Sequence, residues 1–223
     1  MNFAVIVFPG SNCDHDAYHV LQHILDVPVD FVWHKENNLK KFDAILIPGG
    51  FSYGDYLRTG AIARFSPIME SVIQEANAGK PIFGICNGFQ ILIESGLLPG
   101  ALIVNQGVRF LSHEVTLEVS TTDSIYTRSL KNNQKLTMPI AHKQGNYIAD
   151  KDTLKMLEDE DRVVFRYGKG KNGNPNGSIK RIAGIINKKR NVLGMMPHPE
   201  RAAESVLGSE DGLAIFKSMI GIT

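Results

Sequence analysis

Short apolar runs alternate with segments of helical spacing through the first half of the chain, and this alternation constrains the fold more than any other feature. The apolar runs are typical of buried strands and occupy residues 3–8, 27–33, 44–47 and 81–85. The helical segments between and after them occupy residues 17–25, 62–78 and 87–94. This order predicts a flavodoxin-like α/β fold, in which helices flank an open, mostly parallel sheet.

The second half of the chain has a different pattern. Val115, Leu117 and Val119 alternate with polar residues, which is typical of a strand with one exposed face. Further strands are predicted at residues 136–140, 163–165, 181–186 and 192–195, and a final helix at 211–220. These segments predict antiparallel strands added to the parallel sheet. Because no linker or shift in composition divides the chain, we expect a single domain over residues 1–223.

Composition excludes several classes of function. The 24 basic and 23 acidic residues nearly cancel, and the basic residues are scattered, so no nucleic-acid partner is expected. The apolar runs are far shorter than the roughly 20 residues of a membrane helix, so no membrane partner is expected. Cys13 and Cys86 are the two cysteines, which indicates a reducing, cytoplasmic location.

Cys86 lies where the strand at 81–85 turns directly into the helix at 87–94. Gly84 and Gly88 flank it two residues away on each side, the spacing of a nucleophile elbow with sulfur in place of oxygen. A free thiol is mostly protonated at neutral pH, but a helix N-terminus and a nearby imidazolium both favour the thiolate. Cys86 is therefore a candidate nucleophile, with a buried structural cysteine as the alternative.

A nucleophilic thiol needs a base, and the base needs a group that orients it. The segment Pro197-His198-Pro199-Glu200 follows the strand predicted at 192–195. The two prolines favour extended backbone, which would direct the side chains of His198 and Glu200 to the same side. The sequence therefore predicts a Cys86–His198–Glu200 triad at the ends of neighbouring strands.

The stretch Pro48-Gly49-Gly50 follows another strand and offers backbone N–H groups for an oxyanion hole, together with the N–H of Asn87. No metal site is expected. His15, His19 and His23 recur at i+4 spacing, but no cysteine or carboxylate accompanies them in a ligand pattern, so they predict an exposed helix face.

Three motifs together resemble the triad-type glutamine amidotransferases. They are Pro-Gly-Gly at 48–50, Gly-Ile-Cys-Asn-Gly-Phe-Gln at 84–90 and Pro-His-Pro-Glu at 197–200. Within that family the chain is more similar to glutaminase subunits of phosphoribosylformylglycinamidine synthase. This closer resemblance covers nearly the whole chain and is carried by the segments at 49–58, 60–69, 174–178 and 194–201.

The resemblance implies roles for individual residues. Cys86 would be the nucleophile, His198 the base and acid, and Glu200 its orienting group. Gly50 and Asn87 would donate to the oxyanion, while Phe51 and Gln90 would help to hold glutamine.

It also implies partners: a large synthetase subunit that uses ATP and magnesium, and a small third subunit. No cofactor is expected in this chain itself. The segments at 52–58 and 174–178 are candidate contacts with the partner, because core packing does not explain them.

Two other functions remain open from the residues alone. One is a free-standing thiol hydrolase of a γ-glutamyl compound, which would be active without a partner. The other is a non-catalytic, flavodoxin-like module in which Cys86 senses redox state. A His198–Glu200 pair disfavours the second, because a sensor needs no oriented base.

Overall fold

A computed structural model describes residues 1–170 and 173–222, and within them nine strands form one mixed sheet. The described residues also include two strands outside this sheet. In chain order the strands are β1 (Phe3–Val7), β2 (Val29–Trp33), β3 (Ala44–Ile47), β4 (Ile82–Ile85), β5 (Ala101–Ile103), β6 (Leu111–Val119), β7 (Lys135–His142), β8 (Asn146–Ile148), β9 (Val163–Tyr167), β10 (Ile182–Ile186) and β11 (Val192–Met195). The α-helices are α1 (Asp14–His19), α2 (Pro67–Asn77), α3 (Asn87–Glu94), α4 (Lys151–Asp159) and α5 (Leu213–Ile220). Strands β5 and β8 pair separately as a small antiparallel ribbon.

Five strands form the parallel half of the sheet in the order β2-β1-β3-β4-β11. This is the flavodoxin-like order, with β11 in the fifth position. Every residue of β3, β4 and β11 is buried, as expected for central strands covered on both faces. The predicted parallel sheet is confirmed.

The antiparallel half continues from β11 in the order β10-β9-β6-β7. Along the end of β6, the residues at 115, 117 and 119 are buried while those at 114 and 116 are exposed. The alternation in the sequence therefore marked the buried face correctly. Strand β7 extends to His142, two residues beyond the predicted end.

Two helices differ from the sequence prediction. The predicted helix at 62–78 is a short 3₁₀ turn (Ala63–Phe65) followed by α2, which begins at Pro67. Proline has no N–H and a fixed φ, so it fits the first helical position, and α2 begins there and not at residue 62. Helix α4 was not predicted. Its face buries only Leu154 and Leu157, but the Asp150 side chain caps its N-terminus by accepting from the Thr153 N–H at 2.7 Å.

The segment at 174–178 buries two of the side chains that were predicted to contact a partner. Asn176 is fully buried, and its amide donates to the Gly145 carbonyl at 2.7 Å and to the Tyr167 hydroxyl at 3.2 Å. Ser178 is also buried and its hydroxyl accepts from the Tyr147 N–H at 3.0 Å. These contacts support the loop before β8, so the prediction that this segment is a surface for a partner was wrong for its central residues.

The parallel strands bring the candidate site residues together. Cys13, Gly50, Cys86 and His198 follow β1, β3, β4 and β11 respectively. In an open parallel sheet these carboxyl ends lie along one edge, where ligand sites form. Among the described residues, no helix is long and apolar enough to cross a membrane.

Tyr126 provides a test of the packing at the opposite edge of the sheet, where β4 and β11 begin. It is fully buried, and its hydroxyl lies 2.8 Å from the Ile82 carbonyl and 2.7 Å from the Asn191 carbonyl. We expect Tyr126→Phe to lower the free energy of unfolding by about 1–3 kcal/mol, because buried carbonyl groups lose their donor. Urea denaturation would measure this change. An exposed tyrosine provides the control: Tyr56→Phe should change stability by less than about 0.5 kcal/mol, and equal effects would contradict the expectation.

Candidate active site

Cys86 occupies a strained backbone position between β4 and α3. Its φ of 50° and ψ of −103° lie outside the regions that most side chains adopt. Two close approaches hold this conformation: a Cβ added to Gly88 would lie 1.9 Å from the Ile47 carbonyl oxygen, and one added to Gly84 would lie 2.8 Å from the Gly88 backbone. The glycines therefore let α3 start directly against the end of β3.

His198 and Glu200 form a buried pair. Nδ1 of His198 lies 2.6 Å from Oε1 of Glu200. The backbone differs from the prediction, because Glu200 lies in a 3₁₀ turn (Pro199–Arg201) and not in an extended segment. The side chains still meet, since His198 retains non-helical dihedrals before the turn. The backbone N–H of His198 also donates to the Pro139 carbonyl at 2.9 Å, which ties this turn to β7.

The surroundings of His198 favour its protonated form. Complete burial alone would lower the pKa of His198, but the negative charge of Glu200 and the nearby sulfur atoms of Cys86 and Cys13 raise that pKa well above its usual value. Nε2 of His198 is buried and has no hydrogen-bond partner among the described residues. One nitrogen of the imidazole is thus bound to the carboxylate, and the other is free for a substrate.

The imidazole packs on Gly49. A Cβ at Gly49 would lie 2.7 Å from Cε1 of His198 and 3.1 Å from Sγ of Cys13. Only a residue without a side chain leaves room for the ring in this position.

Gly50 and Asn87, the predicted oxyanion donors, follow β3 and Cys86 respectively. Asn87 is the first residue of α3, where N–H groups have no acceptor within the helix. Gly50 has a φ of 132°, and a Cβ added to it would lie 2.7 Å from the Asn12 backbone nitrogen. The Phe51 N–H is already donated to the Gly10 carbonyl at 3.1 Å, so it does not compete for this role.

A cavity of about 190 Å³ opens at Cys86. Its walls include two of the predicted substrate-binding residues, Phe51 and Gln90, as well as Gly50. The Gln90 amide is bonded at both ends: it donates to the Gln144 carbonyl at 2.6 Å and accepts from the Asn87 amide at 2.8 Å. Gln90 therefore shapes the cavity wall by fixing the segment after β7.

His142 lines the same cavity and was missed by the sequence analysis. Its Nδ1 lies 3.1 Å from Oδ1 of Asn105, while the Asn105 amide donates to the His142 and Arg109 carbonyls. Oδ1 is thus the acceptor and Nδ1 carries the proton. Burial lowers the pKa of His142 to about 3, so the ring is neutral. Nε2 is left as a buried acceptor with no partner in the described chain.

Asp55 is the second residue that the sequence analysis did not assign. It lies in the cavity wall, and burial raises the pKa of its carboxyl to about 6. Lys143 lines the same cavity and provides the opposite charge. A lone histidine at the end of a strand and an aspartate in a loop carry no distinctive spacing, so only the fold identifies these residues.

This arrangement contains the groups needed for acyl transfer through a thioester. A thiol at a helix N-terminus, a buried imidazole–carboxylate pair, free backbone donors and an adjoining cavity are the elements of a Cys–His–Glu amide hydrolase. The fold and the arrangement of the site are those expected of an enzyme of this class.

Comparison of the chain with known proteins identifies its family. Residues 1–212 match the model of the CobB/CobQ-like glutamine amidotransferase domain. The phosphoribosylformylglycinamidine synthase subunit PurQ of Koribacter versatilis (strain Ellin345) is 56% identical over 226 residues, covering 99% of this chain and 98% of that relative. The chain therefore belongs to the CobB/CobQ-like glutamine amidotransferase family.

Solved structures agree with this result. The structure of PurLQS from Thermotoga maritima contains a chain that is 44% identical, with a TM-score of 0.89 and coverage of 99% of this chain and 97% of that one. A glutamine amidotransferase from Thermotoga maritima is 15% identical, with a TM-score of 0.60 and coverage of 99% of this chain and 96% of that one. The second likeness extends only to the fold.

The packing of His198 on Gly49 yields a prediction. We expect Gly49→Ala to lower kcat for glutamine hydrolysis by about 100-fold, because the new methyl group displaces the imidazole, and misplacement by about 1 Å costs rates of this order. Steady-state ammonia release would measure it. Gly107→Ala is the control, since nothing lies within 4 Å of a Cβ at Gly107. A Gly49→Ala protein with parental kcat would contradict the placement of the base.

Proposed function

We propose that this chain hydrolyses L-glutamine to glutamate and ammonia and supplies the ammonia to a separate synthetase. That synthetase would convert formylglycinamide ribonucleotide to formylglycinamidine ribonucleotide in de novo purine biosynthesis. The hydrogen-bonded His198–Glu200 pair beside Cys86 carries the proposal for the chemistry. The 56% identity to PurQ supports the choice of pathway. In this proposal residues 1–223 act as one glutaminase domain.

Cys86 would attack the carboxamide carbon of glutamine as a thiolate. The C–S bond forms, and the His198 imidazolium gives its proton to the amide nitrogen, so that the C–N bond breaks and ammonia leaves. His198 then accepts a proton from water, whose oxygen bonds to the carbonyl carbon of the γ-glutamyl thioester; the C–S bond breaks, glutamate leaves and the Cys86 thiolate is regenerated. Glu200 keeps Nδ1 protonated and stabilises the charged ring. The N–H groups of Gly50 and Asn87 would stabilise the oxyanion in both steps.

The polar groups of the cavity match the ends of the substrate. Glutamine carries an α-ammonium and an α-carboxylate, and we assign these to Asp55 and Lys143. The unpartnered Nε2 of His142 would accept a hydrogen bond from a substrate N–H group. Phe51 and Phe110, whose ring centroids are 6.4 Å apart, would cover the substrate at the mouth.

The proposed partner is a large synthetase subunit, which would bind ATP and magnesium, together with a small third subunit. The related Thermotoga maritima structure is of PurLQS. Cys13 and Cys86 are both free thiols, which fits the cytoplasmic location that we propose for the complex.

Two segments at the cavity mouth expose apolar side chains. Tyr56 and Leu57 are 75% and 88% exposed and lie close in sequence to the cavity residues Asp55 and Thr59. Val108 is 69% exposed and precedes Phe110, another cavity residue. Apolar groups in these positions favour a protein contact that would cover the mouth during ammonia transfer. We therefore retain residues 52–58 as a contact and add residues 108–110.

Reconstitution with the synthetase tests the function. With ATP and formylglycinamide ribonucleotide present, we expect glutamine hydrolysis to rise sharply over the rate of the chain alone. Leu57→Asp should retain the basal rate and lose most of the rise, because it places a charge in the apolar contact. Val206→Asp, at a residue that is 84% exposed outside both segments, is the control. A high rate that is indifferent to the synthetase would indicate a free-standing hydrolase.

Substitutions of the triad residues should lower the rate of glutamine hydrolysis by different amounts. Cys86→Ala should abolish hydrolysis with and without the partner, since the thioester cannot form. Glu200→Gln should lower kcat by roughly 10²–10⁴-fold, less than the loss of the nucleophile, because the base is still present in a poorer orientation. Circular dichroism would confirm that each variant is folded. Residual turnover in Cys86→Ala would exclude it as the nucleophile.

Asp55 gives a prediction about pH. With a carboxyl pKa of about 6, Asp55 is charged at pH 7.5 and mostly neutral at pH 5. If it binds the α-ammonium group, the affinity for glutamine should fall by about tenfold over this range as the carboxylate is protonated. Calorimetry on Cys86→Ser protein would measure binding without turnover. When Asp55→Asn is added to that protein, binding should be weak and nearly independent of pH; unchanged pH dependence would contradict the assignment.

A further inference from the structure

Cys13 is a second thiol next to the catalytic base, and the proposed reaction does not use it. It lies between β1 and α1, is 2% exposed, and its Sγ is 3.2 Å from Oδ1 of Asn12 and 3.2 Å from Nη2 of Arg201. The pKa of the Cys13 thiol is raised by burial, although His198 and Arg201 act in the opposite direction. Its position thus needs an explanation other than nucleophilic attack.

Three ligand types converge at this position. Sγ of Cys13, a ring nitrogen of His198 and a carboxylate oxygen of Glu200 all lie within 4.8 Å of one another, and all three residues are buried. The ring nitrogen on this side is Nδ1, since a Cβ at Gly49 would lie 3.1 Å from Sγ and 3.3 Å from Nδ1. Oε2 of Glu200 is buried without a partner in the described chain and can accept a ligand bond.

Thiolate, imidazole and carboxylate are the ligands that Zn²⁺ takes in proteins, at about 2.0–2.3 Å. Three ligands around a tetrahedral ion lie roughly 3–4 Å apart, and the three ligand atoms here lie within 4.8 Å of one another. A cavity of about 240 Å³ is lined by Cys13, His198, Arg201 and Asn12, and it gives access for the ion and for water as a fourth ligand. Sequence spacing missed this set because Cys13 and His198 are 185 residues apart along the chain.

We propose that Cys13, His198 and Glu200 form an inhibitory site for a thiophilic divalent cation such as Zn²⁺. Binding releases the proton of the Cys13 thiol and the proton of His198 Nδ1. The ring retains its proton on Nε2 and cannot accept another from the hydrolytic water. Glu200, as a metal ligand, no longer orients the base. The ion therefore stops turnover without contacting Cys86.

The inhibition rests on the proposed glutaminase function, but binding of the ion does not, so the two can be measured apart. Equilibrium titration of the purified chain with Zn²⁺ against a fluorescent chelator should reveal one site. In Cys13→Ser the affinity should fall by more than about 100-fold, because even a group that only supports a metal ligand contributes 10–100-fold. Cys86→Ala should bind as the parent does.

Cobalt provides a spectroscopic readout of the ligands. Co²⁺ should give a thiolate-to-metal absorption band in the parent and in Cys86→Ala, and the band should be absent in Cys13→Ser. In the glutaminase assay Cys13→Ser should still hydrolyse glutamine and should resist Zn²⁺. Loss of binding in Cys86→Ala together with full binding in Cys13→Ser would overturn the proposal, since the ion would then bridge Cys86 and Nε2. Absence of Zn²⁺ binding to the parent chain would overturn it as well.

Discussion

The contact of the first turn of α3 with the end of β3 is the constraint on which the site depends. The Gly88 backbone reaches the Ile47 carbonyl so closely that even a methyl group would overlap it. This contact forces Cys86 into left-handed backbone and directs the chain from strand to helix within one residue. The cost of such a conformation, of order 1–3 kcal/mol, is met by the buried sheet around it. The thiol is thereby fixed at the N-terminus of α3.

Electrostatics couple this elbow to the end of β11. The His198 imidazole is buried, which opposes its charge, yet the carboxylate on one side and the sulfur on the other favour the imidazolium. The neighbouring His142 is also buried, but the partner of its Nδ1 is the neutral amide of Asn105. Burial therefore lowers the pKa of His142, and its ring stays neutral. We assign the two histidines to proton transfer and substrate binding respectively. In our proposal the carboxylate that stabilises the charged ring also completes, with Cys13, a set of metal ligands.

The sequence by itself determined the elements whose signal is local. The buried strands and the elbow at Cys86 follow from runs of apolar residues and from the conformational limits of glycine. Helix α4 was not predicted because its two buried leucines give a weak helical pattern and its Asp150 cap was not recognised. The turn at Glu200 was wrongly predicted as extended, since tertiary contacts override the preference of a single dipeptide.

Only the tertiary structure decided which distant residues share the site. Asp55, His142 and Cys13 lie in three separate segments, and their positions around Cys86 and His198 depend on strand order and on how far β7 extends. The same holds for Asn176, whose amide donates to the carbonyl of Gly145 in a distant segment of the chain. Sequence spacing reports contacts along a helix or strand, whereas these contacts are made across the sheet, where spacing carries no information.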